Sequence, residues 1–194
     1  FAIVRTFDWN ADGTQLAYIR FDEHEVPEFS MDIYGTTLYP TKDTFKYPKA
    51  GEENSKVSVY AYDLKLNKST QINLANFETY YIPQVFQTAQ PNEIAIATSN
   101  RHQNKLEIIK INTKNHSTKK ILTETDAAWI ETDNLSLEFL EDNSFLWASE
   151  RDGFRHFYWY TPDGKLKKQI TKGNWEITDY YGFSPKNSEI LVQT

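Results

Sequence analysis

Phe7-Asp8-Trp9-Asn10-Ala11-Asp12-Gly13-Thr14-Gln15-Leu16-Ala17-Tyr18 reads as a strand, a tight polar turn and a returning apolar strand. Looser copies run Val85-Phe86-Gln87-Thr88-Ala89-Gln90-Pro91-Asn92-Glu93-Ile94-Ala95-Ile96, Phe139-Leu140-Glu141-Asp142-Asn143-Ser144-Phe145-Leu146-Trp147, and Phe183-Ser184-Pro185-Lys186-Asn187-Ser188-Glu189-Ile190-Leu191-Val192. In each, an aromatic closes the first strand, a polar turn reverses the chain and an apolar strand returns. Recurrence on this scale points to the blades of a β-propeller. Propellers more often bind, gate or present than catalyse by themselves.

Trp9, Phe86, Phe139 and Phe183 mark equivalent positions, separated by 77, 53 and 44 residues. A blade takes about 40–50 residues, so the last two spacings fit and the first is too long. The surplus belongs to residues 22–55. A second strand pair follows each hairpin: Val57–Leu64 with Thr70–Ile72, Lys105–Ile111 with Lys119–Leu122, and Arg155–Tyr160 with Leu166–Thr171. The last of these pairs turns through Pro162-Asp163-Gly164, which combines a preset φ with tolerance of positive φ.

The expected fold is all-β: a partial β-propeller of about three and a half four-stranded antiparallel blades, with a projecting arm inserted in the first. Blades are placed at 3–74, 79–124, 128–173 and, incomplete, 175–194, with the arm at 22–55. No helix is expected. A β-sandwich of evenly spaced strands is the competing reading, but it does not require one hairpin to recur. Three and a half blades cannot close a ring. The chain is therefore expected to be part of a longer propeller domain, or to find partners that cover its open faces.

The arm holds Pro27, Pro40 and Pro48, with Phe29, Tyr34, Tyr39, Phe45 and Tyr47 among Thr and Lys. A long excursion with aromatics either packs on a partner or folds back over its own propeller; the residues alone leave both open.

Composition narrows the chemistry. The chain has 194 residues, a net charge of −6 and no Cys, which excludes disulfides, thiolate nucleophiles and Cys-based metal sites. The negative charge argues against a nucleic-acid partner, which calls for clustered Lys and Arg. No apolar run approaches the roughly 20 residues that span a bilayer. No targeting segment is visible, and a start at Phe1, within the strand pattern, is what a fragment would show.

There is no Gly-x-Ser-x-Gly elbow, no phosphate loop and no His-Glu-x-x-His pair. His24, among Asp22, Glu23 and Glu25, superficially resembles a metal ligand set but reads more simply as an acidic turn. His156 reads as a packing or hydrogen-bonding residue. Ser149-Glu150-Arg151-Asp152-Gly153 reads as a structural link whose charges satisfy the backbone of the turn. Trp129-Ile130-Glu131 opens the third blade, where polar and aromatic groups could touch a ligand. No catalytic residue, cofactor or metal is expected within the chain.

Four phrases together resemble a known family: Arg20-Phe21-Asp22-Glu23-His24-Glu25-Val26-Pro27-Glu28-Phe29, Tyr47-Pro48-Lys49-Ala50-Gly51-Glu52-Glu53-Asn54-Ser55, Ser149-Glu150-Arg151-Asp152-Gly153-Phe154-Arg155-His156 and Thr171-Lys172-Gly173-Asn174-Trp175-Glu176-Ile177. In order and spacing they are similar to the N-terminal propeller of dipeptidyl peptidase IV, in the prolyl oligopeptidase clan, and most of all to bacterial forms of the Bacteroidetes type.

That resemblance implies a serine exopeptidase that removes Xaa-Pro or Xaa-Ala dipeptides. In such enzymes an eight-bladed propeller is paired with a C-terminal α/β-hydrolase domain that carries the triad. A Glu-Glu pair in the propeller holds the substrate's α-amino group. Neither the pair nor the hydrolase domain is in this chain, so the chain alone should be inactive. Phe1 and Ala2 match positions just after the acidic pair, and Trp129, Ile130 and Glu131 match the outer-subsite loop; all five are expected near the substrate pocket. Residues 28–51 match the arm of the homodimer, with Tyr34, Tyr39, Phe45 and Tyr47 as anchors. The resemblance further implies a peptide substrate, the protein's own hydrolase domain as partner, and a periplasmic or envelope location. The alternative is a non-catalytic TolB- or WD40-like propeller that binds another protein.

Overall fold

The structure, a computed structural model, describes residues 6–133 and 135–194. Phe1 and Ala2 lie outside the described residues. Among the described residues every regular element is a β-strand. The chain divides into two compact units, residues 20–58 and the remainder.

In the larger unit, β1 (Phe7–Trp9) and β2 (Gln15–Asp22) join β5 (Lys56–Asp63) and β6 (Lys68–Gln71) in a four-stranded sheet of order β1-β2-β5-β6. Strands β7 (Tyr81–Gln87), β8 (Glu93–Ser99), β9 (Lys105–Asn112) and β10 (Thr118–Thr125) form a second sheet in chain order. A third holds β11 (Leu137–Phe139), β12 (Phe145–Ser149), β13 (His156–Tyr160) and β14 (Leu166–Gln169). A two-stranded sheet of β15 (Asp179–Ser184) and β16 (Glu189–Gln193) follows. These are antiparallel meanders, as the repeated hairpin requires.

The turns explain why the chain reverses where it does. Asp12 Oδ1 accepts from the Thr14 amide at 3.1 Å and its hydroxyl at 2.6 Å. The equivalent Asp142 accepts from the Ser144 amide at 2.9 Å and its hydroxyl at 2.5 Å. A short carboxylate two residues before a hydroxyl satisfies the turn without help from another element. Both carboxyls are held below the usual aspartate range, chiefly by that hydroxyl.

Packing runs from sheet to sheet through alternate side chains. Strands β8 and β9 are buried on both faces. On one face, small Ala95 and Ala97 leave room for Phe145, Trp147, Tyr158 and Tyr160 of the third sheet. The intervening residues of β12, Leu146 and Ala148, turn the other way, onto Phe157, Ile177 and the β15–β16 hairpin. Burying one such aromatic is worth about 2–3 kcal/mol. Polar ties join neighbouring sheets at the turns. Asn10 Nδ2 donates to the Pro91 carbonyl at 2.6 Å, and Asn143 Nδ2 to Glu93 at 2.9 Å. Glu93 also pairs at 3.3 Å with Lys110, whose buried ammonium lies over the Phe139 ring. Burial lowers the Lys110 pKa more than Glu93 raises it.

The smaller unit contains one hairpin, β3 (Glu28–Ile33) with β4 (Thr41–Lys46). Period-2 alternation gives it two unlike faces. Glu28 pairs with Lys46 at 3.6 Å and Ser30 bonds Thr44 at 2.8 Å on one face. Phe29, Met31, Ile33 and Phe45 occupy the other.

Candidate functional site

The larger unit carries a cleft of about 310 Å³ at the strand ends of the second, third and fourth sheets. Three chain segments build it: residues 124–131 with Leu135, residues 148–155 and residues 176–178. The first two run out of the ends of β10 and β12, and the third leads into β15.

The first segment is pinned to the β8–β9 turn. The Asp126 amide donates to the Asn104 carbonyl at 3.0 Å, and the Ile130 amide to Gln103 at 2.8 Å. Asp126 Oδ1 then accepts from Ala128 and Trp129, forming a tight local turn. Ile130 points into the core between the second and third sheets, whereas Trp129 is 51% exposed at the cleft. Glu131 accepts from the Asp133 amide at 2.8 Å. The structure therefore brings Trp129, Ile130 and Glu131 to one cleft.

The second segment is braced by Arg151. Its guanidinium bonds Glu124 at 2.5 Å and Ser149 Oγ at 2.9 Å, and stacks 4.5 Å from the Tyr158 ring centroid. Glu124 also accepts from Trp147 Nε1 and Ser149 Oγ. Burial is the largest single influence on Arg151 and disfavours its charge, but Glu124 and the other partners together raise its pKa. The expectation that this arginine serves the turn backbone needs correction. It reaches a carboxylate on the neighbouring sheet because sheet stacking brings β10 alongside β12. Asp152 is bonded by Gln169 Nε2 at 2.6 Å.

The third segment is held by Arg155, whose guanidinium donates to the Ile177 carbonyl at 3.3 Å and to Ser136 Oγ at 2.6 Å. Burial lowers the Arg155 pKa, against Glu150, Glu176 and Asp179. The cleft is lined by five carboxylates (Glu124, Asp126, Glu131, Glu150 and Glu176) and two guanidiniums (Arg151 and Arg155). Its net charge is negative even though Arg151 neutralises Glu124. Such a surface favours cationic ligands or ligand segments, with Trp129 as an aromatic lining residue. Sequence reasoning missed Glu124, Arg155 and Glu176 as cleft residues, because nothing local marks residues from separate segments as neighbours.

His156 is fully buried and bonded at both nitrogens. Among the described residues no group of three His, Cys, Asp or Glu is placed to hold a metal ion. No helix of the described residues is long and apolar enough to cross a membrane.

In the smaller unit, Phe29, Phe45 and Tyr47 form a triad with ring centroids 5.9–6.2 Å apart, with the Lys49 ammonium 5.5 Å from the Phe29 ring. Tyr34 and Tyr39 lie elsewhere, around the β3–β4 turn, 80% and 77% exposed. All four expected anchors are thus exposed, Phe45 and Tyr47 within the aromatic triad and Tyr34 and Tyr39 near the turn.

The model of the dipeptidyl peptidase IV N-terminal region family matches residues 1–193. A dipeptidyl-aminopeptidase B of Aspergillus niger is 27% identical over 88% of this chain and 22% of its own length. The crystal structure of Porphyromonas gingivalis dipeptidyl peptidase 4 superposes with a TM-score of 0.83 at 36% identity, over 92% of this chain and 26% of that one. A Bacteroides ovatus protein described as a dipeptidyl aminopeptidase IV superposes with a TM-score of 0.80 at 23% identity, over 96% of this chain and 29% of that one, which speaks to the fold alone. The chain thus spans between a fifth and a third of the length of these relatives.

Proposed function

The chain belongs to the dipeptidyl peptidase IV N-terminal region family, and from that membership we propose that it is the propeller segment of a serine-type exopeptidase. The whole protein would remove Xaa-Pro or Xaa-Ala dipeptides from peptide N-termini. Bond cleavage belongs to a hydrolase domain outside these residues. This segment governs access of the peptide and contributes dimer contacts. The observation that carries the reading is the match to the P. gingivalis enzyme across 92% of the chain. A free-standing TolB- or WD40-like binding propeller is not favoured by the relatives found.

Within this reading, the successive sheets are blades of one ring, at 3–74, 79–124, 128–173 and 175–194. The cleft at Trp129, Ile130 and Glu131 touches the peptide outside the scissile bond. A binding groove on the propeller helps enforce register, because only a peptide held at a fixed distance from the nucleophile reacts. Tyr34, Tyr39, Phe45 and Tyr47 anchor a homodimer, since aromatics dominate interface energetics. A periplasmic or envelope location is part of the proposal and is tested by cell fractionation.

The decisive experiment assays the full-length protein with Gly-Pro-p-nitroanilide. Hydrolysis by the full-length protein, together with inactivity of residues 1–194 alone, is the expected pair of results. Hydrolysis by the purified 194-residue chain would overturn the assignment of cleavage to another domain.

A further inference from the structure

His156, the residue after Arg155 and the first of β13, packs against a second connection at the cleft. Residues 171–177 lie in the connection from β14 to β15 and bring Glu176 and Ile177 to the cleft. The His156 ring, with no exposed surface, lies against this connection at two points. Its Nε2 is 3.0 Å from the Gly173 carbonyl oxygen and its Nδ1 is 3.2 Å from Thr171 Oγ1. A carbonyl can only accept, so Nε2 carries the proton and, in the neutral ring, Nδ1 accepts from the Thr171 hydroxyl. Thr171 Oγ1 also accepts the Phe157 amide at 3.0 Å, which ties the connection to β13. The Trp175 ring meets the imidazole edge to face, with centroids 4.9 Å apart.

Gly173 completes the arrangement. Its φ of +137° is a conformation other residues rarely adopt, and a Cβ there would overlap the Trp175 indole. Next to His156, Arg155 holds the Ile177 carbonyl. The adjacent side chains of Arg155, just before β13, and His156, its first residue, therefore fix both ends of a five-residue stretch, Gly173–Ile177, that has no strand pairing in its middle.

We infer that His156 is a positioning residue for peptide binding: it holds the 171–177 connection so that Glu176 and Ile177 form one wall of the cleft. The inference rests on the proposed reading of that cleft as a peptide-binding groove. His156 touches no peptide itself and acts through Gly173 and Trp175. A misplacement of about 1 Å in such a wall weakens binding severely while leaving a distant reacting centre intact.

The test uses full-length protein and two substrates, Gly-Pro-p-nitroanilide and a hexapeptide with Gly-Pro at its N-terminus. His156→Ala and Gly173→Ala are each expected to raise the hexapeptide KM about tenfold, with kcat within twofold and the KM of the short substrate little changed. Gly13→Ala, a glycine in the distant β1–β2 turn, is the control for general destabilisation and leaves all three constants in place. If His156→Ala fails to fold, Gly173→Ala decides. Trp129→Ala tests the groove directly. If Trp129→Ala raises the hexapeptide KM and the His156 and Gly173 variants do not, the positioning role is refuted while the groove stands. If Trp129→Ala also leaves KM unchanged, the groove reading itself fails, and the inference with it.

Discussion

The backbone of Gly164, in the β13–β14 turn, abuts the carbonyl of Ile121 in β10 so closely that a Cβ would overlap it. Gly164 also has a φ of +90°. Two sheets thus meet with backbone against backbone, a contact only glycine permits. Gly164→Ala is expected to cost about 3 kcal/mol or more, from a clash with backbone added to an unfavourable φ. Gly13→Ala, at φ +68° with open space around it, should cost only about 1–2 kcal/mol. Urea midpoints of the two variants check the difference.

The turn aspartates predict an acid response. Asp12 and Asp142 have folded pKa values below the unfolded value of 3.8, each chiefly because a hydroxyl two residues on bonds the carboxylate. Below 3.8 the unfolded chain binds more protons than the folded one, so stability falls as pH drops through the folded values and is fully present above 3.8. The double variant Asp12→Asn with Asp142→Asn should show a shallower decline of Tm below pH 4 than the parent.

At the alkaline end, burial and the nearby Asp152 push the Tyr158 phenol up to about 12. Tyr180 is raised too, by burial and by the Glu138 carboxylate it bonds. A raised tyrosine keeps its proton in the folded state after the unfolded chain has lost it, so stability declines above pH 10. Absorbance at 295 nm should show both tyrosines ionising only after the exposed ones, and Tyr158→Phe should flatten the alkaline decline of Tm.

Glu124→Gln removes the carboxylate that Arg151 and Trp147 share. It leaves a partly buried guanidinium with weaker partners, and roughly 1–3 kcal/mol of stability is expected to go, less than for a fully buried pair because Arg151 retains some solvent. Glu131→Gln, on the exposed side of the cleft, should change stability by under about 0.5 kcal/mol. Thermal melts of the two variants side by side test this ranking.

The aromatic hairpin predicts an assembly effect. Tyr39→Ala with Tyr47→Ala in the full-length protein should weaken the homodimer proposed above, and analytical ultracentrifugation at several concentrations reads it. An unchanged dimer would contradict the assignment of the hairpin to the interface.

The fold class could be read from the sequence because its signals are local. Asp12-Gly13 and Asp163-Gly164 reverse the chain by their own chemistry, and alternation in Phe29, Met31 and Ile33 writes one face of a strand. Strands β8 and β9 lose that alternation because both faces are buried, yet their β-branched residues still mark them. The cleft was legible only in part. Trp129, Ile130 and Glu131 stand together in sequence, but Glu124, Arg155 and Glu176 join them only through sheet stacking. The same distance hid the partner of Arg151, 27 residues upstream, and those of His156, 15 and 17 residues downstream.

The central claim is that this propeller serves an exopeptidase whose cleavage machinery lies elsewhere in the protein. The most direct measurement is mass spectrometry of a Gly-Pro hexapeptide after incubation with the full-length protein, with and without an acetylated N-terminus, and with residues 1–194 alone. Release of Gly-Pro from the free peptide only, and only by the full-length protein, is the predicted result. Cleavage of the acetylated peptide at the same rate, or any cleavage by the 194-residue chain, would contradict it.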